Sequence, residues 1–229
     1  VAATTAVDGT KNKVKAVIDN STVHGTNVSV VASNVTRVKY SAILPALSLS
    51  TTFQTKSSDA SMASEIDAHI SNGATVTADD IEVLAKDRGE IFVLANATTI
   101  KKNGLAVGAA IVTNEVGNTI KAYVDDSTVT ATAGDVDVKA TSFEDILSIA
   151  LGIAAEGSDG KFALGGSYAT TKVHNTIEAY INGGSVTGHG DVNILASDKD
   201  GADASKALAI TGGAAFSLGK FAIGAAFST

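Results

Sequence analysis

The chain has 229 residues, 45% hydrophobic but only 5% aromatic, with no Trp, no Cys, 22 Gly, one Pro and a formal net charge of −7. The acidic balance argues against a protein that tracks nucleic-acid phosphates, which needs a basic patch. The missing cysteines exclude disulfides and thiolate chemistry, and Gly, Ser or Asp interrupts every apolar run before it reaches the length of a membrane-spanning helix.

The predicted elements are short strands. Val14, Ala16 and Ile18 alternate with polar neighbours and stop at Asp19-Asn20; a short strand centres on Val23; Val28, Val30 and Ala32 alternate again. Strict period-two alternation is the pattern of a strand with one buried face. The set recurs as Ile66, Ala68, Ile70, then Val76, then Ile81, Val83, Ala85, with Asn72-Gly73 at the first break. It recurs as Ile120, Ala122, Val124, then Val129, then Val136, Val138, Ala140, broken by Asp125-Asp126 and Gly134-Asp135. The last set is Ile177, Ala179, Ile181, then Val186, then Val192, Ile194, Ala196, broken at Asn182-Gly183-Gly184 and Gly190-Asp191. Asn, Asp and Gly at these breaks supply turn chemistry.

Four unit cores follow, 12–32, 64–85, 118–140 and 175–196. The shared Ala falls at Ala16, Ala68, Ala122 and Ala179, in steps of 52, 54 and 57 residues. A period held over four copies is the signature of a repeat architecture. Between and after the cores run Gly/Ala-rich segments from Glu90, Ile146 and Ala207, split by Lys102-Asn103-Gly104, Ser158-Asp159-Gly160 and Ser217-Leu218-Gly219. These read as hairpins, with a further solenoid turn and a sharp corner as the alternative. Val1 aligns with Val107 and Leu164, and so does Ile223; residues 1–229 read as one continuous array, cut mid-unit from a longer protein. The expected fold is all-β: a repetitive parallel β-solenoid (β-helix) of about four units with hairpin-like extensions.

The search for chemistry is negative. His24, His69, His174 and His189 form no metal-ligand spacing, and no GxSxG is present. His69 shares an outward column with Val17, Tyr123 and Tyr180; Lys15, Asp67, Lys121 and Glu178 form another, of alternating sign. Asp198, Asp200 and Asp203 superficially resemble a calcium loop, but the closing Glu is missing, so a solvated turn is the default. Thr75, Thr77, Thr128 and Thr130 read as solvated strand positions. No catalytic, cofactor-binding or metal residue is assigned.

The run Asn118-Thr119-Ile120-Lys121-Ala122-Tyr123-Val124-Asp125-Asp126-Ser127-Thr128-Val129, followed by Gly134-Asp135-Val136-Asp137-Val138, resembles the repeats of giant bacterial filamentous adhesins, the filamentous haemagglutinin-like and leukotoxin A-like surface proteins. The second copy departs from it, with Ser64 in place of the Asn at 12, 118 and 175, and Asp79-Asp80 in place of Gly-Asp. The resemblance implies a secreted or cell-surface bacterial protein with a β-helical stalk and no catalysis. Its expected role is a structural or adhesive shaft whose partners are neighbouring repeats or copies of itself end to end, with a host or surface ligand left open. A binding module using exposed strands or tips is the alternative. A polysaccharide-acting β-helix enzyme ranks below both, since it needs clustered acids, basic residues and aromatic sugar platforms.

Overall fold

A computed structural model describes residues 2–42, 53–200, 203–218 and 221–229; at 2–8, 41–42, 53–56, 103, 158–160, 200 and 203 it describes the backbone alone. The first unit contains β1 (Ala2–Thr10), β2 (Lys13–Asp19), β3 (Thr22–His24) and β4 (Asn27–Ala42). The second contains β5 (Phe53–Met62), β6 (Glu65–Ser71), β7 (Thr75–Ala78) and β8 (Asp80–Val116); the third contains β9 (Thr119–Asp125), β10 (Thr128–Ala131) and β11 (Val136–Val173). The fourth contains β12 (Thr176–Asn182), β13 (Ser185–Thr187), β14 (Val192–Ser197), β15 (Lys199–Asp200), β16 (Asp203–Ala204), β17 (Lys206–Ser217) and β18 (Ala222–Ser228). No helix occurs among the described residues.

Equivalent strands of successive units pair in parallel. One sheet runs β2-β6-β9-β12, a second β3-β7-β10-β13, and the third joins β4, β8, β11 and β14. Register follows the repeat residue for residue: Ala16 pairs with Ala68, Ala68 with Ala122, and Ala122 with Ala179. The alternation fills a core enclosed by the three sheets, with Ile66, Ala68, Ile70, Val76, Ile81, Val83, Val136, Val138 and Ala140 all buried. The fourth-unit triplet pairs in register with Val136, Val138 and Ala140, yet Val192 and Ile194 are 41% and 49% exposed. Among the described residues no strand pairs on the far side of β14, so the last layer is half open.

The turns work as their composition requires. Asn20, Asn72, Asp126 and Gly183 stack at one corner with φ of 44°, 57°, 42° and 67°. Asn, Asp and Gly are the residues that enter this left-handed region most readily. At the corner before the third sheet, Asp80 Oδ1 accepts from the Asp135 N–H (3.2 Å) and Asp135 Oδ1 from the Asp191 N–H (2.8 Å). A Cβ on Gly134 would lie 1.9 Å from Asp80 Oδ1, and one on Gly190 2.2 Å from Asp135 Oδ1. Glycine thus precedes aspartate because it makes room for the carboxylate of the unit before. The first unit has Thr26-Asn27 at these positions and the second Asp79-Asp80, so the Gly-Asp pair belongs to the third and fourth units.

The Gly/Ala-rich segments are not antiparallel hairpins. β8 pairs with β11 in parallel over both limbs, Ile91 with Ile146 before the turn and Val107 with Leu164 after it. The antiparallel ladder found among the described residues is the short β15–β16 pair. Each segment runs out, turns and returns, and each limb bonds to the same limb of the next unit. The two limbs face each other across a flat second core containing Val93, Ala95, Ala97, Ala110, Val112 and Ala150. Their backbones lie too close for side chains at some points: a Cβ on Gly152 would come within 1.7 Å of the Gly166 carbonyl oxygen. The outline suits a hairpin because a turn does sit mid-segment, but stacking on the next copy satisfies the backbone and leaves no need for pairing within the unit. Val1, Gly219 and Lys220 lie outside the described residues. Ala2 nonetheless pairs with Gln54 and Gln54 with Gly108, and Ile223 with Leu164.

Candidate functional site

Between the two cores the inward positions turn polar. After Ala32 they are Asn34 and Thr36; after Ala85, Asp87 and Gly89; after Ala140, Ser142 and Glu144, before apolar residues resume at Val38, Ile91 and Ile146. Facing them is the column Asn12, Ser64, Asn118 and Asn175. Asn118 Nδ2 donates to Asp87 Oδ2 (2.6 Å) and to Glu144 Oε1 (3.1 Å). Asn175 Nδ2 donates to Ser142 Oγ (3.0 Å) and Glu144 Oε1 (3.1 Å), and Asn34 Nδ2 to Asp87 Oδ1 (2.7 Å). The same asparagines tie the units together, since Asn118 Oδ1 accepts from the Ser64 N–H (2.8 Å) and Asn175 Oδ1 from the Asn118 N–H (2.9 Å). Ser64 keeps the acceptor, taking the Asn12 N–H at 3.4 Å, and gives up the reach of an amide.

Asp87 and Glu144 are both 1% exposed. Glu144 Oε2 has no hydrogen-bond partner, and a Cβ on Gly89 would lie 1.8 Å from it. Glycine at 89 therefore leaves the space this carboxyl fills. Burial, reinforced by the neighbouring Asp87 carboxylate, pushes Glu144 up to about 7 from 4.5. Burial also raises Asp87, against the opposing hydrogen bonds from Asn34 and Asn118. Asp87 and Glu144 are bridged by the Asn118 amide, and a charge on Asp87 disfavours a second one on Glu144. They are closed to solvent, so a dissolved substrate does not meet them; what the seam can do is hold a proton and fix the angle between two cores.

The outer face of the first sheet carries the two other ordered columns. The His69 and Tyr123 rings stack with centroids 4.5 Å apart, and Tyr123 and Tyr180 at 4.9 Å. His69 Nδ1 lies 2.8 Å from Asp67 Oδ1. Stacking occupies both faces of Tyr123 and one face each of His69 and Tyr180. Beside it Lys15 pairs with Asp67 (3.0 Å) and Lys121 with Glu178 (2.8 Å), so the alternating signs meet as ion pairs. Thr75 and Thr77 stack on Thr128 and Thr130.

The other polar residues singled out by the sequence stay apart. His174 lies 3.7 Å from Glu115, and His24 and His189 are exposed. Among the described residues no three His, Cys, Asp or Glu side chains converge. Asp198 is exposed; the Asp200 and Asp203 side chains lie outside the described residues, and their backbones pair in the β15–β16 turn. The buried seam escapes any reading of the repeat that stops at each closing alanine, although the inward alternation continues through Asn34, Asp87 and Ser142. No family model, characterised protein or solved structure matches this chain.

Proposed function

We propose that this chain is a β-solenoid segment serving as a structural or adhesive shaft of a long bacterial surface fibre, without catalysis. The observation that carries the reading is in-register parallel pairing at every level of the repeat, from Ala16 through Ala68 and Ala122 to Ala179. Such an array stores its stability in neighbour-to-neighbour contacts and grows along one axis without limit. The half-open layer at β12, β13 and β14 suits a further unit. Glu178 ends a column of alternating charge there, and Lys15 at the opposite side is the complementary sign. Ile194 and Val192 would then become as buried as Val138 and Val136 are. An extracellular location rests on the resemblance of the Asn118–Val129 run to filamentous adhesins.

The test joins two and three copies of the chain in tandem and measures them by small-angle scattering. Each added copy of four units is expected to lengthen the rod by about 19 Å, at roughly 4.8 Å per unit. A compact particle whose radius grows with the cube root of mass would refute the shaft.

A further inference from the structure

The flat limbs invert the usual distribution of bulk. Beyond Ile91, Val93 and Ile146 at the base, their inward positions are small, such as Ala95, Ala97, Gly152 and Ala154, while large side chains of the outgoing limb turn outward. Phe92, Leu147 and Leu208 pair in register to make one outer ridge, and Leu94, Ile149 and Ile210 make the next. Leu208 is 54% exposed and Ile210 42%. No charged residue occurs over 91–100, 146–155 or 207–217. Charges gather at the base, at Glu90, Asp145 and Lys206, and at the tip, at Lys101 and Glu156.

We infer that this outer face of the outgoing limb is a docking surface for a second copy of the chain, laid face to face. Three features on the face point to that occupant. The ridges run along the stacking direction about 7 Å apart, two residues of strand, with furrows between them. An identical face shifted by one residue sets its ridges into those furrows, the geometry by which in-register parallel sheets mate. Over 91–100, 146–155 and 207–217 the contact buries no charge, so little desolvation penalty opposes it; Lys39, in register with Phe92 on the unit before, stands at the border of the face. The face also has the needed size: about 33 Å of strand by ~14 Å of three units covers roughly 500 Å² per copy, the lower bound of a specific interface. Lipid is the other chemistry that takes an uncharged face. It fits less well, because the outward positions of the same limb include the polar Asn96 and Thr98. This association is lateral, and it is independent of the axial stacking proposed above.

The experiment is sedimentation velocity over a wide concentration range, on the full chain and on two variants. Leu147→Thr/Ile149→Thr lowers the ridges with residues that keep strand propensity; Ile194→Lys charges the open end layer instead. The expected result is a self-association that the Thr pair weakens at least about tenfold and that Ile194→Lys leaves in place. Should the pair lose its β-sheet circular dichroism, Phe92→Thr alone carries the same test. A chain monomeric throughout overturns the inference. Association that survives the Thr pair but is abolished by Ile194→Lys also overturns it, while leaving the axial shaft standing. Flotation of monomeric protein with phosphatidylcholine vesicles, lost in the Thr pair, would assign the face to lipid and overturn it as well.

Discussion

Glu144 makes the stability of the array depend on pH in an unusual direction. Its carboxyl is held at about 7 in the folded chain against 4.5 ordinarily. Between those values the folded state binds the proton and the unfolded state releases it, so stability falls as pH rises. The stabilisation is fully present below about pH 4.5 and is lost by about pH 7. A difference of roughly 2.5 units corresponds to about 3 kcal/mol at 1.36 kcal/mol per unit. Asp87 is displaced in the same sense, whereas Glu65 and Glu90, lowered first by hydrogen bonds from Lys13 and Arg37, act oppositely at more acid pH. The assay is urea unfolding at intervals from pH 4.5 to 8, comparing the parent with Glu144→Gln. The parent is expected to lose about 3 kcal/mol across the window. Glu144→Gln, neutral throughout, should give a much flatter profile and be the more stable of the two at pH 8. Parallel profiles in the two proteins would show that Glu144 is not the titrating group and would sink the argument.

Other substitutions separate the faces. Val138→Asp puts an unpaired charge into a fully buried layer and should cost several kcal/mol, about 3 or more, read by the same unfolding assay. Lys121→Asp breaks an exposed ion pair with Glu178 and should cost about 1 kcal/mol or less. Equal costs would mean that the inward and outward faces are exchanged. Gly152→Ala sets a methyl against the Gly166 carbonyl and should destabilise by about 3 kcal/mol, since neither backbone can yield without disturbing its ladder.

Much of the fold was legible because parallel stacking enforces sameness: each inward position lies against its copies, so Ala16, Ala68, Ala122 and Ala179 advertise one site. The left-handed corner was legible for the same reason, through Asn20, Asn72, Asp126 and Gly183. Pairing direction in the Gly/Ala-rich limbs was not. A mid-segment turn and alternating apolar residues are common to a hairpin and to two limbs stacked on other units, and only the partner distinguishes them. The seam was hidden for another reason. Asn34, Asp87 and Ser142 share inward geometry but not chemistry, so an apolar criterion stops short of them, and Glu144 stands opposite a glycine.

The tip of the flat limbs shows where units of unequal length are reconciled. β8 and β11 slip register between Glu156 and Asp159 and again between Gly160 and Phe162, then resume in step as far as Val173. Glu156 closes the tip by accepting from the Phe162 N–H at 3.0 Å and from Ser217 Oγ at 2.5 Å. Length differences are thus absorbed at a point remote from both cores, with the ladders on either side undisturbed. A tip of this kind is a natural graft point: a foreign epitope inserted between Ser158 and Gly160 would be displayed at the rim, its closure entropy rising only slowly with length. Repeated along a fibre, such grafts would form a row at the spacing of the units, a periodic display scaffold whose pitch is set by the β-ladder itself.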